Sequence, residues 1–560
     1  MKFKNLYRFG ILASAVLFLS GCDFLDTKID TDMTPEAVET NRSTLWSFGN
    51  AMYTPIVSGF GSLDGNFFAA AADEGQRTQE SGNAYIFNRG TLSPDNVASA
   101  TSNIYSNCYE GIRAANFFLD FAKNGKELLA LNRDTIRDKI NYEKDKRNLA
   151  WFVAEAHIAR AYYYSELIKR FGGVPIVETT MDKNSEKILT SSYSDVVEYI
   201  VKEIDTYKSQ LQENWLTHPD AVSRNDGRFD VRAALAIKAR ILLYAASPLN
   251  NPSNDKTKWE SAAQAAHDVI KFMNYTMPAN RNYGNYFIGN AAAGNTESIF
   301  LVRHGASNTI ETANYPISTP GGNSGITPTE NLVSAYEYIG TPDPVNPYKN
   351  RDPRLAATVV FNGSTWNSRV IDQSSGGTDD MKKANTSKTG YYLKKFLKDN
   401  LNLVQGGTEV HIWVVYRYAE VLLNYSEAMT QAYGPDMKPS GFTLSAREAL
   451  TQVRNSASTS LPAVTTTDAS QFLTALKRER QVELAFEDHR YWDLLRWKDA
   501  ENVLNKPVKG VVVSKNENDV FSYQILNVED RVFHTKNYHL PFSRSEIVNS
   551  GGSMTQNEGY

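Results

Sequence analysis

The sequence predicts a mainly α fold: tetratricopeptide-like helical hairpins forming a scaffold, with a long loop-rich insertion that carries short strands. Three observations lead there. Apolar residues recur every three or four positions through a series of segments. Two of those segments, 231–246 and 259–273, are apolar on two sides and joined by Ser247-Pro248-Leu249-Asn250-Asn251-Pro252, as stacked hairpins require. Residues 274–403 then lose the periodicity and fill with Gly, Asn, Thr and Pro. No clean repeat of about 34 residues runs through the chain, so the hairpins are degenerate units parted by insertions.

In order, the first 21 residues read as a leader. Lys2, Lys4 and Arg8 form a basic start, 9–19 an apolar run, and Leu19-Ser20-Gly21-Cys22 follows. That run is too short to span a membrane, and a small residue before Cys22 marks the thiol as a lipid-acceptor site. The expected organisation is a lipoprotein signal at 1–21, a lipid-anchored tether at 22–42 and one domain over 43–560, with insertions at about 59–96 and 274–403. Cys108 is the only other cysteine, so lipidation of Cys22 leaves no intramolecular disulfide and stability has to come from packing. The formal charge of −4 becomes −7 once the three leader cations go, which speaks against nucleic acid as a partner. A content of 30 Tyr, 26 Phe and 8 Trp supplies many rings able to pack at one end and hydrogen-bond at the other.

Within the domain, Thr34-Pro35-Glu36 opens a helix around 38–53. Helices follow at 103–121, 149–171 (stopped by Gly172-Gly173-Val174-Pro175), 194–211, 231–246, 259–273, 411–432 and 443–456. Ser298 to Val302 is a short strand. His157 reads as a packing residue, and Asn225-Asp226-Gly227 with Asp230 as a turn before a helix, since carboxylates are too few for a calcium loop.

The stretch Lys477 to Trp497 reads as one helix with opposed charges three apart: Arg480 with Glu483, Glu487 with Arg490, and Asp493 with Arg496. Glu483 and Glu487 could be the acid and nucleophile of a glycoside hydrolase, or members of an ion-paired clamp between helices. The clamp is favoured, because each carboxylate has an arginine in reach. His489 has no metal-ligand spacing, and no Gly-x-Ser-x-Gly elbow, His-Glu-x-x-His or phosphate loop occurs.

Several stretches together, and in order, resemble the SusD-like (RagB/SusD) surface lipoproteins of Bacteroidota. They include Leu19 to Asp26, Asp73-Glu74, Tyr109 with Ile112 and Asn116, and Glu155 to Tyr164 with Phe171-Gly172-Gly173-Val174-Pro175. Asn350-Arg351-Asp352-Pro353-Arg354-Leu355, Arg417 to Leu423, the Lys477 to Trp497 stretch and Leu540-Pro541-Phe542 continue the match. The resemblance implies a non-enzymatic, palmitate-bearing protein without cofactor or metal, anchored in outer-membrane lipid and facing the exterior. It implies capture of oligosaccharides, or of peptides in some branches, for delivery to a SusC-like TonB-dependent outer-membrane barrel. Where relatives carry a Trp four residues before the first-helix Tyr, this chain has Tyr105. A glycan site needs flat aromatic faces and planar polar groups in a shallow groove. Loop residues suited to it are Asp73, Arg77, Tyr85, Tyr283, Asn314, Tyr315 and Trp366, with Phe87 and Tyr286 beside them.

Overall fold

The computed structural model describes residues 42–181, 189–219 and 225–560. The leader, Cys22 and all but the end of the tether lie outside the described residues. Ten helices carry the scaffold: α1 (Arg42–Ala51), α2 (Ser99–Ala122), α3 (Lys139–Phe171), α4 (Tyr193–Tyr207), α5 (Val231–Ala246), α6 (Lys256–Met273), α7 (Tyr418–Tyr433), α8 (Ala446–Ala457), α9 (Ala469–Glu483) and α10 (Arg490–Arg496). Successive helices pack on one another, α2 on α3, α3 on α4, α5 on α6, α6 on α7 and α7 on α8, so the mainly α, stacked-hairpin expectation holds. No described helix is long and apolar enough to cross a membrane.

Local chemistry sets the boundaries. Ser192 and Asp195 form a capping box at α4, as do Ser445 and Glu448 at α8. Asp230, Asp255 and Asp468 cap α5, α6 and α9. Gly172 ends α3 with φ +73°, a conformation that costs glycine nothing. The α3 helix begins ten residues before its periodic pattern does, because Lys139 to Asn148 is a largely solvent-facing stretch of good helix formers. Its buried half includes Tyr162, Tyr163 and Tyr164, each 0% exposed. Gly111 lets α2 close on Tyr163, since a Cβ there would lie 2.2 Å from the ring.

The strands are few and antiparallel. β1 (Gly75–Arg77) pairs with β3 (Ile326–Pro328), β2 (Ser298–Ser307) with β4 (Glu409–Arg417), and β5 (Val508–Lys515) with β6 (Phe521–Glu529). Two expectations are corrected here. Residues 411–417, predicted to open a helix, are strand β4, whose Val302↔Trp413 and Arg303↔Ile412 pairs with β2 decide the matter. A run of buried β-branched residues suits a strand and a helix equally until its partner is known. The Lys477 to Trp497 stretch is two helices. Phe486 and Asp488 both take left-handed φ of 61° in a corner that propensity gives no reason to expect. The 508–529 hairpin had no counterpart in the predicted elements.

That corner reorganises the charges. Glu483 is fully buried and receives Arg281, Arg354 at 2.8 Å and Arg417 at 2.6 Å. Burial alone would push its carboxyl up, but Arg281, Arg417 and Arg354 outweigh it and hold it below the usual carboxylate range. Glu487 pairs with Arg417 at 2.6 Å and Lys395 at 2.7 Å. Arg480 pairs with Asp493 rather than Glu483, and Arg490 with Asp73 rather than Glu487, while the expected Asp493–Arg496 pair is present at 2.8 Å. The clamp exists, but its partners come from the insertion and from β4 as well as from neighbouring turns. Glu483, saturated by three arginines, has no lone proton to exchange.

Candidate functional site

A polar cleft of about 380 Å³ lies between the 54–65 loop and the first turns of α2. The loop is held from behind. Gly59 sits on the indole of Trp413, where a Cβ would be 2.1 Å from the ring. Ser58 Oγ and His304 Nε2 are 2.9 Å apart, tying the loop to β2. Phe60 makes edge contacts with Phe67, His304, Phe396, His411 and Trp413. Gly61 and Gly65 take φ of +81° and +71° with open space where a side chain would stand, so the loop can turn twice at the rim.

Two polar side chains facing this cleft are unpartnered. Asn103 and Asn107, four apart on α2 and thus on one face, are exposed and have no hydrogen-bond partner among the described residues. Ser62 contributes a buried hydroxyl oxygen that is likewise unpartnered. Asp64 is fixed instead. Its Oδ1 accepts from Asn83 N at 2.8 Å and Asn83 Nδ2 at 2.7 Å, its Oδ2 from Ala84 N at 2.9 Å, and Arg77 stands 3.5 Å away. Side-chain amides and hydroxyls around a shallow depression can hydrogen-bond sugar hydroxyls or backbone amides.

The seven residues expected to bind ligand do not converge. Arg77 stands behind the cleft wall through Asp64. Tyr85 is half-buried on the short helix Asn83–Asn88 that Asp64 anchors, with the Arg89 guanidinium 4.6 Å from its ring centroid. Asp73 is buried and doubly bonded by Arg490 at 2.7 and 2.9 Å. Burial pushes its carboxyl up, but Arg490 and then Arg531 outweigh that and lower it. The other four pack in the interior, which corrects their reading as open loop residues. Tyr283 donates to the Glu483 carbonyl at 2.7 Å and receives Lys395 Nζ at 2.6 Å. Asn314 exchanges amide bonds with Asn66 at 2.8 and 3.0 Å. Tyr315 bonds the Lys398 carbonyl and meets Trp366 edge-on at 5.0 Å, both rings being 0% exposed. Phe87 and Tyr286 are also buried. Tyr105 packs against Phe171 and Phe542 and offers no stacking face.

The sequence reading missed Ser62, Asp64, Asn103 and Asn107. The signal was the Gly59, Gly61, Gly65 spacing around small polar residues, followed by two amides one helical turn apart. A second depression of about 460 Å³ crosses the scaffold where α4, α5 and α6 meet, lined by Ser192, Ser194, Asn250 and Lys258 over Val197 and Leu242.

Residues 296–560 match the model of the SusD family, and residues 23–243 match the model described as starch-binding associating with outer membrane. SusD-like protein P2 of Formosa agariphila is 23% identical over 435 residues, spanning 75% of this chain and 76% of the relative. SusD-like protein P38 of the same organism is 24% identical over 376 residues, 64% and 69% of the two chains. Among solved structures, a SusD-like protein of Bacteroides fragilis superposes with a TM-score of 0.75 at 22% identity, covering 94% of this chain and 98% of its own. A SusD-like carbohydrate binding protein of the same species gives 0.71 at 22% identity, over 92% and 99%. Surface glycan-binding protein A of Bacteroides uniformis gives 0.65 at 18% identity, over 92% and 99%.

Proposed function

This chain belongs to the SusD-like family, and from that premise we propose that it is a non-catalytic surface protein that captures an oligosaccharide in the cleft between the 54–65 loop and α2. The observation that carries this is the pair of exposed, unpartnered amides, Asn103 and Asn107, one helical turn apart on a shallow, releasable depression. The non-catalytic reading is supported by where the two candidate carboxylates lie: Glu483 and Glu487 are paired with guanidinium and ammonium groups in the interior. Lipidation at Cys22 would hold the protein at the outer face of the outer membrane, and a SusC-like TonB-dependent barrel would receive the captured ligand. The likeness to carbohydrate-binding relatives and to an outer-membrane-associated family description supports this arrangement.

A glycan-binding screen of residues 23–560 tests the capture. Micromolar binding to an oligosaccharide, weakened roughly tenfold in the Asn103→Ala/Asn107→Ala variant, is the expected result. A blank glycan screen beside binding of short peptides would move the assignment to peptide capture, and release of reducing sugar abolished by Glu483→Gln would make the protein a hydrolase. Fractionation of a Cys22→Ala variant tests the anchor, and co-purification with an outer-membrane barrel tests the partner.

A further inference from the structure

We infer that the cleft discriminates by charge, taking neutral or amino-bearing saccharides and rejecting uronate-bearing or sulfated ones, with Asp64 as the determinant. This rests on the reading of the cleft as the saccharide site. Among the described residues lining it, Asp64 is the one acidic or basic side chain, and the remaining polar groups are on Thr54, Ser58, Ser62, Asn103 and Asn107. Asp64 cannot turn away from an incoming ligand. Three donors from Asn83 and Ala84 fix both of its oxygens, and the 83–88 helix starts on those bonds. The cation nearest to it, Arg77, does not line the cleft and is already directed at Asp64 itself. A sugar carboxylate or sulfate entering here exchanges water for uncharged amides and hydroxyls while facing the negative end of the Asp64–Arg77 pair. It thus meets both desolvation without a counter-charge and repulsion. Neutral hydroxyls meet donors and acceptors with no such penalty. An ammonium substituent gains the Asp64 carboxylate.

The test uses the full-length chain purified in detergent and oligosaccharides of matched length and differing charge. Galacto-oligosaccharides are set against oligogalacturonides, and chitin oligosaccharides against partly deacetylated ones, by calorimetry at low and moderate salt. Uronate-bearing members should bind at least about tenfold more weakly than their neutral counterparts, with a gap that narrows as salt screens the exposed part of the field. Because Asp64→Asn could disturb the turn at Asn83, the decisive variant is Thr54→Lys, which places a cation at an exposed position of the cleft and leaves both binding amides in place. It should raise uronate affinity roughly tenfold. Equal or tighter binding of the acidic members by the unaltered protein, or no gain in Thr54→Lys, overturns the charge discrimination while leaving saccharide capture standing. If no saccharide of any charge binds either protein, the capture reading falls as well.

Discussion

Glu74 should make the protein lose stability as pH rises, and a single isosteric change should remove that dependence. The side chain is 1% exposed beside the Asp73–Arg490 pair; one carboxyl oxygen has no hydrogen-bond partner and the other accepts only the Phe486 amide at 3.4 Å. Burial, and next the Asp73 charge, push its pKa up to about 8 from an ordinary 4.5. A raised folded-state pKa means that the native protein holds this proton while the unfolded chain releases it. The contribution is complete below about pH 4.5 and declines as pH climbs to about 8. At about 1.36 kcal/mol per pH unit of difference, the loss between pH 5 and pH 7 is about 3 kcal/mol. Glu74→Gln keeps the acceptor for Phe486 and carries no proton to lose. Urea unfolding followed by tryptophan fluorescence, variant against unaltered protein at pH 5, 6, 7 and 8, cancels every other titrating group. The variant's advantage should grow by about 3 kcal/mol between pH 5 and 7. A difference that stays constant across the series would show that Glu74 is ionised in the folded protein and that its surroundings compensate the charge.

Other outcomes follow from the same geometry. Arg417→Met leaves Glu297, Glu483 and Glu487 short of a cation and should cost about 3–5 kcal/mol in urea unfolding. Glu483→Gln should lower unfolding stability strongly while changing ligand affinity little, measured on the same preparation by denaturation and calorimetry. Asn103→Ala with Asn107→Ala should behave oppositely: stability within about 0.5 kcal/mol and saccharide affinity down roughly tenfold. Gly59→Ala drives a methyl into Trp413 and should cost about 1–3 kcal/mol together with ligand affinity, because it displaces the cleft loop.

Much of the scaffold was legible because its helices obey local rules. The stripe through 231–246, the periodic run over 149–171 and the stop at Gly172 each involve residues within a few positions of one another. What was not legible depends on distant partners. Residues 411–417 are a strand because Ser298–Ser307 lies beside them. Phe486 adopts a left-handed φ in an interior shared with Phe67, more than 400 residues upstream. The candidate site failed in the same manner. Tyr315 and Trp366 satisfy every compositional criterion for a sugar platform, yet each fills the other's edge in the core. The small residues Ser62, Asn103 and Asn107 carry no aromatic signal, and only the shape of the loop above them makes a site.

The Asp73–Arg490 pair has a consequence for the order of folding. Its two residues lie 417 positions apart, and they are not alone. Arg531 donates to the carbonyls of Ala72 and Gly75, and Asn557 to that of Phe171. The amino-terminal third therefore acquires its last polar partners from the carboxy-terminal end, which emerges from the ribosome last. Until that end arrives, the Asp73 carboxylate and the carbonyls at 72, 75 and 171 must stay with water or find other partners. A chain cut short before Arg490 should therefore form helices while leaving the Asp73 carboxylate without its cation.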